Sequence, residues 1–464
     1  MNEGAKGLLL VTILVAGCTH ANQQLNAGDV ALESRGKNHT RAALEADIAP
    51  LSARSSRRVE PPSAPTTIPD GVSGDGYFVG LALSGGGSRS ANFSAACMFQ
   101  LQRFGLLQRV DYISSVSGGS LAGAFYCLSD EEWNPAEVQA RLTHGFATDM
   151  IIATFLPWNA IALMLSPWDR SDLLAATLQQ HLYSRRGKRL TFADLRADRP
   201  HLLINATDLQ SGRRFIFCNE SFDEINSNLS AYPIANAVAA SAAVPVLMHH
   251  VTLRDYSTIY KQYRHLIDGG VTDNLGVQSL VETYDAQVQT AIDQQQSDPY
   301  PHGAVLFVID ARTRFDAQIS DKPDIGILEG LAAGAGLTST ALLNRVSSAT
   351  LAEIILQYSP DDARAATLRE QIQALEKTGM LTLRDRHGKP VRIVHIALSR
   401  LNELSNLPFQ SFSERVNNIA TYFNIDPTES YHLYEAAELL VKERFEPRLR
   451  ELATELRAAA TATE

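Results

Sequence analysis

A serine between a strand-like run and a helix-like run is the first candidate for chemistry. Ser117 stands in the frame Ser-Val-Ser-Gly-Gly, after the apolar run 110–116 and before the helical pattern 120–128. A nucleophile elbow has the form G-x-S-x-G, because small neighbours allow a sharp turn that lifts the serine Oγ above the sheet. Ser115 takes the place of the first glycine, and Gly119 that of the second. The serines could equally cap the following helix, so the motif alone leaves both interpretations open.

Three successive glycines, Gly85, Gly86 and Gly87, follow another apolar run at 77–84. Glycine amides can approach a ligand closely, and a helix N-terminus adds a partial positive charge. Such a loop serves either a phosphate or an oxyanion. The sequence lacks the lysine of a G-x-x-x-x-G-K-[ST] phosphate loop, and the pattern G-x-G-x-x-G fails at Ser90. The loop therefore favours an oxyanion site, although a tight turn would explain one or two of the glycines.

Asp268 ends a strand-like run and precedes two glycines, in the stretch HLIDGGVTDNLGV. By itself this pattern is typical of a turn. A nucleophilic serine needs a base, and histidine is the usual one. Among the 12 histidines, His395 is a candidate for a Ser–His–Asp triad, but none lies in a stretch typical of a catalytic loop. A buried aspartate against the hydroxyl could serve instead, since burial raises its pKa above the usual value of about 3.9.

Strand-length apolar runs alternate with helical patterns through the chain. The runs at 77–84 and 110–116 are followed by further predicted strands at 201–207, 214–218, 304–310 and 392–398. Helices are predicted at 91–107, 120–128, 171–182, 229–241, 275–294, 361–378 and 430–459. This alternation indicates an α/β fold with a mainly parallel central sheet.

The composition is that of a globular protein, with 45% hydrophobic and 20% charged residues. The net charge of −10 and the lack of clustered Lys and Arg argue against nucleic acid as a partner. Residues 19–75 are polar and rich in Pro, Gly, Ser and Thr, which predicts a flexible tether. We expect one folded domain over 76–450 and a helical tail over 451–464.

Residues 1–18 predict a signal peptide. The apolar run from Leu8 to Ala16 is too short to span a bilayer. It ends in Leu-Val-Ala-Gly-Cys, which resembles the lipobox of bacterial lipoproteins. That resemblance implies cleavage before Cys18, lipidation of this cysteine, and anchoring to a membrane of the bacterial envelope, at the outer membrane or facing the periplasm. A cytosolic protein with an apolar first helix is the alternative, and Glu3 weakens the positive n-region.

Three cysteines remain, and their odd number excludes a closed set of disulfides: Cys97, Cys127 and Cys218. The first two fall in apolar helical patterns and are predicted to be buried as small hydrophobes. Ligand spacing predicts no metal site.

The three loops, in this order, resemble those of the patatin-like phospholipases. The matching stretches are SGGGSR at 84–89, SVSGG at 115–119 and DGG at 268–270, with further similarity at 205–212, 237–248 and 415–441. The resemblance implies a three-layer α/β/α sandwich that hydrolyses acyl esters of phospholipids or related lipids and needs no metal or other cofactor. Protein partners are not indicated.

The resemblance also assigns roles. It implies that Ser117 is the nucleophile and Asp268 its general base, in a Ser–Asp dyad without histidine. It implies that Gly85, Gly86 and Gly87 line the oxyanion hole and that Arg89 supports this loop. Ser115 and Ser90 depart from the family pattern, and Ser115 needs slightly more room than glycine.

The stretch MIIATFLPWNAIALMLSPW, at 150–168, is the most apolar one after the signal. Pro157 and Asn159 interrupt it, which favours two short helices over a membrane span. These helices could form a lid or a wedge at a lipid surface, with Trp158 and Trp168 at the interface, or could pack in the core. Two alternatives to the dyad enzyme stay open: an esterase with a Ser–His–Asp triad, and a non-catalytic, membrane-anchored binding protein.

Overall fold

A computed structural model of the chain describes residues 22–24, 64–66, 74–146, 148–149, 169–245, 248–258, 262–313, 345–358, 364–404, 408–419, 421 and 423–463. The predicted signal peptide with Cys18, most of the predicted tether and the apolar stretch 150–168 lie outside the described residues.

Six of the described strands follow the predicted apolar runs of the sequence closely. In chain order the described strands are β1 (Phe78–Leu83), β2 (Tyr112–Val116), β3 (Ser184–Arg185), β4 (Lys188–Arg189), β5 (His201–Asp208), β6 (Arg213–Phe217), β7 (Val251–Asp255), β8 (Gln262–Asp268), β9 (Ala304–Asp310), β10 (Met380–Arg384) and β11 (Pro390–Ala397).

The helices are α1 (Gly87–Arg103), α2 (Gly118–Leu128), α3 (Pro135–Leu142), α4 (Arg170–His181), α5 (Asn219–Glu224), α6 (Ile234–Ser241), α7 (Val277–Asp293), α8 (Arg364–Thr378), α9 (Pro408–Asn417), α10 (Pro427–Leu440) and α11 (Glu446–Thr463). Residues 345–357 are also helical. A π-helical turn, Val441–Phe445, joins α10 to α11.

One mixed sheet forms the centre of the described chain. Its strand order is β10-β11-β9-β1-β2-β5-β8-β7, and β6 pairs with β5. The strands β11, β9, β1, β2 and β5 are parallel in succession, whereas β10, β6 and β8 are antiparallel to their neighbours in this set. The mainly parallel sheet predicted from the strand–helix alternation is therefore confirmed.

Helices cover both faces of this sheet. Side chains alternate between the faces along a strand, and β1 shows the result. Leu81 and Leu83 belong to a core that includes residues of α1, α2, α6 and α10. Phe78 and Ala82 belong to a second core, with residues of α7 and the helical segment 345–357. The layers are thus α/β/α, as predicted, and buried strands explain why their sequences are apolar without interruption.

Some element boundaries differ from those predicted. Helix α1 begins at Gly87, four residues before the predicted start at 91, because the glycine loop leads directly into its first turn. Strand β7 was not predicted, since its apolar pattern is weak: Leu253 is its one fully buried apolar side chain. The boundary expected at 450–451 falls inside α11, where Leu452 and Leu456 pack in the first core.

The described cysteines form no disulfide with one another and are buried: Cys97, Cys127 and Cys218. The predicted burial of Cys97 and Cys127 is confirmed. Burial raises the pKa of each thiol, so these groups stay protonated and unreactive. Across the described residues, none of the helices has the length and apolar character needed to cross a membrane.

Candidate active site

Ser117 occupies the single residue between β2 and α2, and its backbone is strained. Its φ of 49° and ψ of −120° lie in a region that L-residues other than glycine rarely adopt. Such a conformation costs on the order of 1–3 kcal/mol and persists only where the surrounding structure enforces it. The strand–serine–helix turn is the nucleophile-elbow geometry that the motif predicts.

Glycines make this turn sterically possible. A Cβ on Gly118 would lie 2.0 Å from the carbonyl oxygen of Gly87, and a Cβ on Gly119 would lie 2.6 Å from the carbonyl oxygen of Leu83. The elbow backbone is therefore in direct contact with the glycine loop and with the end of β1. The contact explains why two glycines follow Ser117.

A serine on a neighbouring helix holds the elbow in place. The Ser117 amide donates to the hydroxyl of Ser241, at 2.8 Å, and this hydroxyl donates to the carbonyl of Asn205, at 2.6 Å. Ser241 ends α6 and is fully buried. Sequence reasoning did not single it out. The available signal was one hydroxyl in an otherwise apolar run of Ala and Val at 237–243.

A buried polar network lies beneath the elbow. The Asn205 amide group donates to the Ser114 hydroxyl, at 2.8 Å, and to the Ser115 carbonyl, at 3.0 Å. Its side-chain oxygen accepts from the Ser279 hydroxyl, at 2.5 Å. The Ser115 side chain is itself fully buried, so the site has room for a serine where the motif has glycine.

The sheet pairing brings Asp268 to the elbow. Strand β5 pairs with β2 as far as Val116 opposite Asn205. From the next residue onward β5 pairs with the antiparallel β8, and Ala206 lies opposite Asp268. Asp268 therefore stands just beyond the end of β2, where Ser117 follows.

The Asp268 carboxylate lies beside Ser117 and is held by a backbone hydrogen bond. Its Oδ1 accepts from the Gly270 amide at 2.7 Å. Burial raises the pKa of Asp268 to about 6, although the Gly270 amide and the nearby Ser117 hydroxyl oppose that shift. The result is a buried carboxylate, in contact with the serine hydroxyl, whose proton affinity suits a general base near neutral pH.

The glycine loop presents its amides at the start of α1. Gly86 and Gly87 have φ values of 135° and 56°, which favour glycine. Their amides donate no hydrogen bond to the described part of the chain. The Gly85 amide differs, since it donates to the Asn274 carbonyl at 2.9 Å. The Gly85 amide is therefore not available to an oxyanion. Of the three amides predicted as oxyanion donors, those of Gly86 and Gly87 remain.

Gly85 has a packing role instead. A Cβ on this residue would lie 2.4 Å from the side-chain oxygen of Asn274 and 3.4 Å from the Cβ of Ser117. The loop thus passes directly beside the nucleophile candidate. Helix α1 contains no acidic residue in its first turn, so the positive end of its dipole is uncompensated at this point.

Arg89 connects the glycine loop to distant parts of the chain. It lies in the first turn of α1 and is buried. Its Nη1 donates to the Ile419 carbonyl at 2.9 Å and reaches the Thr313 hydroxyl at 3.5 Å. These contacts are of the kind that a loop-supporting residue would make.

His395 lies far from the elbow. The strand register places it level with Ser114 but three strands away. At about 4.8 Å per strand this separation is about 14 Å. Its Nε2 is instead 3.0 Å from the Asp310 carboxylate, and burial lowers its pKa. His395 is therefore out of hydrogen-bonding reach of Ser117.

A comparison with protein families matches this part of the fold. Residues 81–281, which contain the glycine loop, the elbow and Asp268, match the family model of the patatin-like phospholipases. The chain contains a patatin-like phospholipase domain. It is the domain of a lipid ester hydrolase.

Solved structures with a likeness to this patatin-like domain include human GIVD cytosolic phospholipase A2, at 12% identity and a TM-score of 0.46, covering 96% of this chain and 67% of that one. The same human protein in complex with methyl γ-linolenyl fluorophosphonate is 13% identical, with a TM-score of 0.42, and the match covers 84% of this chain and 60% of that one. VipD from Legionella pneumophila is 12% identical, with a TM-score of 0.25, and the match covers 83% of this chain and 88% of that one. A sequence comparison with curated proteins finds no match.

Proposed function

We propose that this chain is a serine acyl hydrolase that cleaves ester bonds of phospholipids or related lipids through a Ser117–Asp268 dyad. One observation carries the proposal: a serine with strained elbow geometry lies beside a buried aspartate whose pKa is raised to about 6. Strain of this kind is characteristic of functional residues. The patatin-like domain makes a lipid ester the expected substrate class.

The reaction divides into two steps. In the first, Asp268 takes the hydroxyl proton while Ser117 Oγ attacks the ester carbonyl, and the protonated Asp268 then gives this proton to the departing alcohol. In the second, Asp268 takes a proton from water, the hydroxide attacks the acyl-enzyme, and the acid leaves as Ser117 regains its proton. The same carboxylate serves as base and then as acid in each step, which its raised pKa permits.

The oxyanion of each tetrahedral intermediate needs donors fixed beforehand. The Gly86 and Gly87 amides, beside the elbow and at the positive end of α1, are the donors that the geometry supports. Removal of one such donor typically costs about 10²–10³ in rate. Because the donors are backbone groups, the glycine conformations matter more than any side chain in this loop.

Two alternatives have less support. A Ser–His–Asp triad with His395 would need this histidine beside Ser117, whereas two strands, β9 and β1, lie between β11 and β2. A non-catalytic binding protein would not need a strained serine beside a buried carboxylate. Probe labelling distinguishes an enzyme from a binding protein, and the activity of Asp268→Asn distinguishes the dyad from a histidine triad.

The test uses a fluorophosphonate probe that reacts with activated serines. We expect covalent labelling of Ser117, and we expect Ser117→Ala to lose both labelling and ester hydrolysis, the latter by about 10⁴-fold or more. Ser129→Ala is the matched control, because Ser129 is a buried serine just after α2 whose hydroxyl donates to the Phe125 carbonyl of its own helix. Labelling that persists in Ser117→Ala would refute the assignment, and absence of labelling in the folded native chain would favour a binding protein.

We also propose that Cys18 anchors the enzyme to a membrane of a bacterial envelope. The lipobox-like end of the apolar N-terminal run supports this proposal. Several acyl chains on one cysteine would hold the protein stably, since each buried methylene contributes about 0.8 kcal/mol. A lipid anchor would keep the active site close to its substrate.

A further inference from the structure

Two histidines and one aspartate form a cluster outside the active site. His144 follows α3, and His181 is the last residue of α4. The Nε2 of His144 is 2.7 Å from Oδ2 of Asp149, and the Nε2 of His181 is 3.3 Å from the same oxygen. All three ligand-type atoms lie within 4.8 Å of one another. We propose that these three side chains bind one divalent transition-metal ion, preferentially Zn²⁺.

The spacing of the three atoms suits a small ion. Zn²⁺ binds imidazole nitrogen and carboxylate oxygen at about 2.0–2.2 Å, so neighbouring ligand atoms on a tetrahedral ion are about 3.3 Å apart. Of the two Nε2–Oδ2 distances, that of His181, 3.3 Å, equals this separation, and that of His144, 2.7 Å, is a hydrogen bond that must lengthen to admit the ion. Three protein ligands leave the fourth position to water.

The donor chemistry selects the class of metal. Imidazole nitrogens favour Zn²⁺ and similar transition metals, whereas Mg²⁺ and Ca²⁺ prefer sites made only of oxygen. The two imidazole rings are stacked with centroids 3.7 Å apart, so two nitrogen donors stand side by side next to the Asp149 carboxylate.

The surrounding chain holds the ligands in position. Arg141 donates to the His181 carbonyl at 3.2 Å, and thus ties the end of α4 to α3. The Asp149 amide donates to the Gly145 carbonyl at 3.0 Å. A fixed backbone of this kind lowers the entropic cost of bringing three ligands to one ion.

The cluster joins segments that are distant in sequence. His144 and Asp149 precede the apolar stretch 150–168, and His181 follows it. An ion shared by the three side chains would cross-link the chain on the two sides of this stretch. Because links that close long segments remove the most entropy from the unfolded chain, we expect the ion to stabilise the native protein.

Calorimetric titration of the metal-stripped full chain tests the proposal. We expect Zn²⁺ to bind with one ion per chain and to raise the melting temperature, while Mg²⁺ and Ca²⁺ at the same concentration leave it unchanged. Asp149→Asn and His181→Gln should each weaken Zn²⁺ binding by on the order of 100-fold. His387→Gln is the matched control, because His387 is exposed in the turn between β10 and β11, and it should bind as the native chain does.

Several outcomes would overturn the site. They are no Zn²⁺ binding by the native chain, native affinity in both ligand variants, and an equal loss in His387→Gln. Circular dichroism establishes that each variant is folded. If His181→Gln does not fold, Asp149→Asn decides alone, since its change is isosteric and its side chain is 39% exposed. Probe labelling of Ser117 reports the hydrolase site separately, so failure of one proposal leaves the other distinguishable.

Discussion

At the scale of single residues, the chemistry depends on the protonation of Asp268. Its pKa of about 6 places the change from acid to base within an accessible pH range. Only the ionised carboxylate can take the Ser117 proton. We therefore expect kcat/KM on a soluble ester to fall about tenfold for each pH unit below 6 and to level off above it. A profile that stays flat down to pH 4.5, with the fold intact, would contradict the assignment of Asp268 as the base.

The same carboxylate costs stability when it is ionised. Its pKa is raised from 3.8 in the unfolded chain to about 6 in the native protein. Between these values the native state holds a proton that the unfolded state has lost, so the free energy of unfolding decreases as pH rises. The stability that the protonated Asp268 contributes to the native state is fully present below pH 3.8 and is lost as pH rises through 6.

Asp268→Asn should therefore be more stable than the native chain at pH 8, by roughly 3 kcal/mol, with the difference vanishing near pH 4. Asparagine keeps an oxygen that can accept the Gly270 amide, while its activity should be lower by about 10²–10⁴. Urea unfolding at the two pH values measures the difference. If Asp268→Asn is destabilised equally at pH 4 and pH 8, the native protein does not raise the pKa of Asp268.

The two residues of the candidate dyad could be predicted from the sequence, but the residues that hold them in position could not. Ser117 and Asp268 lie in short motifs that a single chain displays. Ser241 acts through a hydrogen bond to a residue 124 positions away, which no local pattern encodes. Gly85 shows the converse: its place in a triple-glycine motif suggested an oxyanion donor, whereas its amide donates to the Asn274 carbonyl.

At the scale of elements, one antiparallel strand assembles the site. Strand β8 enters a mainly parallel sheet beside the second half of β5 and brings Asp268 to the end of β2. Buried parallel strands were predictable because their sequences are apolar throughout. The position of β8 in the sheet was not predictable from the sequence. Strand pairing is non-local, and only the last residues of β8 form an apolar run. The contact between Ser117 and Asp268 therefore had to come from the structure.

Packing of α2 against the end of β1 gives a matched pair of glycine substitutions. A Cβ on Gly119 would lie 2.6 Å from two backbone oxygens, those of Leu83 and Ser84. Backbone cannot easily move, so Gly119→Ala should displace the elbow, destabilise the fold by roughly 1–3 kcal/mol and remove most probe labelling of Ser117.

Gly123→Ala is the control in the same helix. Its Cβ would meet only side-chain carbons: those of Ile113 and Leu83, at 3.1 and 3.2 Å, can adjust, and that of Ser115, at 3.5 Å, is in ordinary van der Waals contact. Alanine also favours a helix over glycine by about 1 kcal/mol. We expect near-native stability and labelling in Gly123→Ala, as measured by thermal unfolding and gel fluorescence. Comparable losses in the two variants would show that the elbow contact is not the cause.

At the scale of the whole molecule, the folded domain and the proposed membrane anchor lie in different parts of the sequence. The dyad, the glycine loop and most of both cores lie after residue 74. Two described parts of the predicted tether contact the domain: Ala64 packs in the second core, and the buried Asn22 side chain donates to Ser227 and Arg254. The proposed anchor, Cys18, precedes both of them and is no part of the dyad or the glycine loop. Catalysis and membrane attachment should therefore be separable by one substitution.

Cys18→Ser tests this separation in a bacterium that processes lipoproteins. The native chain should incorporate a clickable fatty acid and sediment with membranes, because its acyl chains bury many methylenes in lipid. The variant should incorporate none and leave the membrane fraction, while the fluorophosphonate probe still labels Ser117, which shows that the domain is folded. Turnover of lipids in vesicles should fall more than turnover of a soluble ester, since only the former depends on proximity to a bilayer. Fatty-acid labelling that survives in Cys18→Ser would place the anchor elsewhere or show that there is none at this cysteine.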